Sequence, residues 1–187
     1  MSSKYTKKLS IRKANEFDID FPDNKNLKEN EKNQIQKAVE NGAIAIGIKT
    51  FVDSNKVPKL LNTDKKGVQI VLNNAPNEDV KQYGDIDYLS TPHIQKEIAL
   101  RKEQPRSELE REKLEYASNC LKAFSDNSQL NKERNIENGR IVKERSKIGK
   151  KVIKERGSIV SEISGEPLNG DACVHHKNRV ADKPEEA

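Results

Sequence analysis

The chain has 187 residues, 33% hydrophobic and 35% charged, too little apolar surface to fill one large core along its length, so compact parts joined by exposed helix are expected. Only 4% of the residues are aromatic and none is tryptophan, which argues against a stacking platform for single-stranded nucleic acid. A formal net charge of +5 permits a polyanionic partner and leaves its place on the chain open.

The opening MSSKYTKKLSIRK has no apolar signal-peptide core, and no later run approaches the length of a membrane span. No membrane partner and a cytoplasmic setting are therefore expected. Cys120 and Cys173 lie far apart and form no CxxC pair, so neither a disulfide framework nor a four-cysteine zinc knuckle is readable. Residues 1–26 carry few apolar positions and no clear period, and read as a flexible arm on which Ile19 and Phe21 can dock. Leu27, Ile35, Ala38 and Val39 mark one helical face, with Asn41-Gly42 ending the helix after Glu40. AIAIGIKTFV (43–52) is rich in β-branched residues and reads as a strand. GVQIVLN (67–73) reads as a second strand, with Pro58 in the loop between them. Asn74–Ser90 is turn-rich, with a short strand or helical turn around DIDYL. A small α/β module over 27–90 follows, a candidate surface for a protein partner.

Thr91 and Pro92 suit a helix N-cap and first position, and Ile94, Ile98 and Leu100 carry that helix to about Gln104. His93 then falls at a helix start and is expected on the surface. Pro105 breaks the element, and Ser107 with Glu110 offers a capping box for a second helix. That helix carries Leu109, Leu114, Ala117, Leu121 and Phe124 at helical spacing and closes at SDNSQ. A third helix is expected over 130–156, where ten basic residues face four glutamates for a local charge of +6, more than the excess of the whole chain. Ile141, Ile148 and Val152 form an apolar seam on it that can pack on the preceding helix, while Gly139 and Gly149 lower its helix propensity and favour a kink. A solvated lysine face on a helical hairpin explains this pattern. So does a phosphate-facing helix, since every neutralised phosphate releases counterions. On the second reading the nucleic-acid contacts are Arg140, Lys143, Lys147, Lys150, Lys151 and Lys154, and residues 91–156 form a helical region ending in a basic helix.

After Gly157 the pattern changes to a period of two. SIVSEIS (158–164), the turn-forming GEPLNG and the extended DACVHH (171–176) read as a β-hairpin-like element ending in His175 and His176. Here SGEPLNGDACVHHKNRVADKP resembles the opening of an HNH endonuclease module, the ββα-metal or His-Me finger. In that family a tG-x-P-L turn precedes a strand ending in a His-His or Asp-His pair and a long polar loop. The likeness covers residues 158–187, with Ser164, Gly165, Pro167 and Leu168 matching the turn. It implies that His175 binds a divalent metal ion, Mg²⁺ or similar, and that His176 is the general base on the attacking water. Hydrolysis of a phosphodiester needs both: an imidazole to deprotonate water near neutral pH, and a cation to hold the charge that builds on the phosphate. The cysteine pairs that pin some family members with zinc are absent, Ser161 and Ser164 standing in their region, and Asn178 is too close to His176 to be the family's loop asparagine. The family's second strand and closing helix, with a further metal-binding histidine, would follow residue 187; the residues given therefore imply an incomplete and inactive catalytic module.

The fold class expected is α+β: an N-terminal α/β module, charged helices, and over 157–187 the start of a ββα-metal finger. The function expected is that of a DNA-binding HNH-type endonuclease of phage or mobile-element type acting on double-stranded DNA. The alternative is a non-catalytic phage-type protein that binds a host or defence protein through its N-terminal module. A transcription-type DNA binder has no helix-turn-helix signature to support it.

Overall fold

In a computed structural model of the chain, the residues described are 11–156. The chain divides into two units, residues 1–132 and 133–187. Within the first, the chain begins with β1 (Ile11–Lys13), α1 (Glu29–Gly42), β2 (Ala43–Ile46) and β3 (Lys49–Asp53). The short α2 (Val57–Leu60) and α3 (Lys65–Asn74) follow, then β4 (Val80–Tyr83), β5 (Ile86–Ser90), α4 (Thr91–Glu103) and α5 (Glu108–Ser125). The five strands make one antiparallel sheet in the order β1-β2-β3-β5-β4. The architecture is α+β, as composition and pattern led one to expect.

Two tight hairpins organise the sheet, and each depends on one glycine. Ile46 pairs with Lys49 across Gly47-Ile48, and Tyr83 with Ile86 across Gly84-Asp85. Gly47 and Gly84 have φ of 58° and 59°, the left-handed conformation that a two-residue turn of this hand requires at its first position. The run 43–52 is thus two strands and a turn, where one strand was expected. The turn-rich 74–90 likewise becomes the β4–β5 hairpin.

The segment 67–73 is not a strand. It lies in α3, whose N-cap Asp64 accepts a hydrogen bond from Gly67 N at 2.7 Å. Val68 and Val71, three residues apart, are buried on one side, while Ile70 is exposed. Its β-branched content favours a strand, but a cap at one end and burial at helical spacing decide for helix.

The N-terminal arm is also more ordered than its composition indicates. Ile11–Lys13 pairs with β2, and Ala14 and Phe17 are buried. The Phe17 ring meets the Phe124 ring edge-on at 5.8 Å, while the Arg12 guanidinium lies 4.1 Å from its centroid. Ile19 and Phe21 pack against the core.

One apolar cluster runs from Ala14 to Leu130. Ala43, Ala45, Val52 and Leu89 of the sheet meet Ile35 and Val39 of α1, Ile94 and Ile98 of α4, and Leu114, Leu121 and Phe124 of α5. Residues 91–130 therefore share a core with the expected 27–90 module. Each fully buried Leu, Ile or Phe contributes about 1.5–3 kcal/mol relative to exposure. The capping box of α5 forms as its sequence indicates, with Glu110 N donating to Ser107 Oγ and Ser107 N to Glu110 Oε2 at 3.0 Å. The cap of α4 is Ser90, one residue before the expected Thr91, because β5 extends to that position. Leu100 and Leu109, expected on the apolar faces, are both 46% exposed; Tyr116 and Cys120 fill the interior of α5 instead.

Cys120 is free and buried, and burial pushes its thiol up to about 12, against a smaller lowering by its hydrogen bond with Tyr116. At pH 8 only about one thiol in ten thousand is then ionised, and the thiolate is the reactive form. Iodoacetamide should leave Cys120 unmodified in the native protein and alkylate it after urea denaturation, as read by peptide mass mapping. Rapid native-state labelling would contradict the packing of α5.

The helix α6 (Ser128–Arg156) begins in the first unit, where Leu130 is buried, and its residues from Glu133 to Arg156 belong to the second. Gly139 and Gly149 do not interrupt it. Among the described residues no helix is long and apolar enough to cross a membrane. The hairpin and finger expected over 157–187 lie outside the described residues.

Candidate nucleic-acid interface

The basic segment forms a continuous helix because its residues are mostly good helix formers, with glutamates and basic residues three and four apart. Lys143 and Lys147 are exposed on it. Positions 143, 147, 150 and 154 follow one another at helical spacings of four, three and four residues and so lie along one side of the backbone cylinder. Lys151 is displaced from that line by a single residue from position 150, about 100° around the helix.

Arg140 stands in a different setting. Its Nε donates to Glu137 Oε2 at 3.0 Å, its Nη2 to Glu137 Oε1, and its Nη1 to Glu144 Oε1. These bonds, first to Glu137 and then to Glu144, push the guanidinium pKa well above its ordinary value. The guanidinium is thus bracketed one turn back and one turn forward by carboxylates. This clamp was legible in the sequence as carboxylates at i−3 and i+4 around an arginine, the spacing at which helical side chains meet. Of the apolar seam expected on α6, Ile141 is half-buried, and the side chains of Ile148 and Val152 lie outside the described residues. His175 and His176 lie outside the described residues, which contain no group of three or more potential metal-ligating side chains.

His93 is not the surface residue expected. It is 8% exposed, and its Nδ1 lies 3.4 Å from Asp79 Oδ2. The β4–β5 pairing sets Val80 opposite Leu89 and so brings Asp79 beside the start of α4, where Ser90 Oγ also bonds to it. Position along the chain suggested exposure; a hairpin closing over the helix start produced burial.

The first unit also has a polar cleft of about 490 Å³ between α1, α2, the loop after it and the start of α5. Its carboxylates are engaged in holding helix ends. Glu31 accepts from Lys28 N at 3.1 Å and from Lys113 at 2.8 Å, and the Lys113 bond is the main cause of its lowered pKa. Asp64 caps α3, and Glu110 completes the α5 box, whose Ser107 hydroxyl holds the Glu110 carboxyl below its usual range. Lys59 donates to Gln34 at 3.2 Å.

Comparison with protein-family models, with curated proteins and with solved structures found no match to this chain.

Proposed function

We propose that this is a DNA-binding protein of phage or mobile-element type, in which α6 holds the duplex and residues 157–187 open an HNH-type nuclease module. The observation that carries the binding part is the +6 charge of residues 130–156, held on one continuous helix with Lys143 and Lys147 exposed. A helix of this kind binds a polyanion through the phosphates and carries no base readout of its own, so binding is weakly dependent on sequence and strongly dependent on salt. The nuclease part rests on the likeness of SGEPLNGDACVHHKNRVADKP to the HNH opening. There His175 is a metal ligand and His176 the base. A bound divalent ion would supply charge stabilisation at the scissile phosphate. One imidazole is a poor site by itself, since stable sites generally take two or more protein ligands, so the proposal requires the family's further histidine as well.

The test is a titration of a short labelled duplex by fluorescence anisotropy, followed by incubation with Mg²⁺ or with a chelator. Saturable binding that weakens steeply with salt is expected. Cleavage, where it occurs, should need the divalent ion. No binding at low salt would remove the reading, and cleavage undiminished by the chelator would remove its nuclease part.

A further inference from the structure

Successive helical residues step by about 100° around the axis. On that scale positions 143, 147, 150 and 154 fall within a sector about 60° wide, along about 16 Å of helix. Glutamates 133, 137, 144 and 155 fall within a second sector about 40° wide, centred about 90° from the first. The two signs are partly separated around the helix: position 151 falls at the edge of the glutamate sector, and positions 134, 145 and 156, all arginine, lie on the side opposite the lysine sector. Arg140 falls on the border between the sectors, and there it is bound by Glu137 and Glu144.

We propose that α6 meets duplex DNA through the lysine sector alone. The Glu137–Arg140–Glu144 clamp acts as a charge screen, keeping the neighbouring side of the helix off the phosphates and holding affinity down. This rests on the DNA-binding reading above and adds which face is used and what limits it. The screen works in two ways. It engages Nε, Nη1 and Nη2 of a guanidinium that otherwise fits a phosphate in a bidentate manner, and it places two carboxylates where a second row of phosphates would lie. Four lysine positions then set the footprint, so the logarithm of the binding constant should fall against the logarithm of salt with a slope of about −4.

A double-mutant cycle in salt slope tests this. In the parent chain, Arg140→Gln should leave the slope unchanged, because Arg140 neutralises no phosphate. Glu137→Gln with Glu144→Gln should tighten duplex binding about tenfold and steepen the slope by about one, because Arg140 is released to a phosphate. Adding Arg140→Gln to that double variant should take the extra unit of slope away again. Circular dichroism should show the same helix content throughout, since exposed pairs of this kind contribute little to stability. The proposal is overturned if Arg140→Gln alone lowers the parent slope by about one, or if the two glutamine substitutions change neither affinity nor slope while the lysines still matter. Absence of duplex binding by the parent at low salt is a different failure, and it removes the DNA reading itself.

Discussion

Replacement of Lys143, Lys147, Lys150 and Lys154 together by glutamate is expected to abolish duplex binding at moderate salt and leave the first unit folded. With four phosphate contacts, the binding constant of the parent should fall by about two orders of magnitude between about 50 mM and about 200 mM salt. The variant loses those contacts and sets four carboxylates in their place, so at about 50 mM salt its affinity should drop by at least that factor and its salt dependence should flatten. The substituted positions lie in the second unit, whereas the core from Ala14 to Leu130 lies in the first. Thermal unfolding of that core should therefore move little. Anisotropy titrations at several salt concentrations give the result directly. If affinity and slope are both unchanged, the lysine face of α6 is simply solvated.

The second large effect concerns the histidine pair. In a polypeptide that also supplies the family's further metal-binding histidine, His176→Ala should lower the Mg²⁺-dependent cleavage rate by about 10²–10⁴-fold, the usual contribution of a positioned general base. Metal affinity should be largely retained. His175→Ala should weaken metal binding as well as turnover, which calorimetric titration of the metal separates from the rate. The pH profile offers a further reading: loss of a base near neutral pH should remove the acid limb of the rate profile in His176→Ala. Cleavage that survives replacement of both histidines would place the chemistry elsewhere in the chain.

Much of the fold can be traced to local signals. The capping box at Ser107 and Glu110, the helical period of Leu114, Ala117, Leu121 and Phe124, and the helical run to Arg156 all depend on residues within a turn or two of one another. Such interactions are present in the order of the residues itself. Local signals are ambiguous elsewhere. GVQIVLN has the composition of a strand and the burial of a helix, and a run that short does not separate the two periods. Gly47 is a glycine inside an apolar run, a pattern that marks a bend, but the β-branched residues on both sides of it carry a strand signal across the turn. The arginine clamp at Arg140 was available in the spacing of Glu137 and Glu144, but a count of net charge passes over it.

The sequence by itself determined the α+β class, the positions of α1, α4, α5 and α6, and the concentration of positive charge on the last of these, because propensity, capping and charge are properties of neighbouring residues. It also carries the likeness to an HNH opening around His175 and His176, which is a matter of residue types and spacing alone. Only the tertiary structure decided that Ile11–Lys13 joins the sheet, that β5 lies between β3 and β4, and that His93 is buried against Asp79. Each of these depends on residues distant along the chain or on how a hairpin closes over its neighbour. Apolar burial, which drives such arrangements, is non-directional: it favours many pairings by pattern, and one is selected only when all the surfaces are packed together.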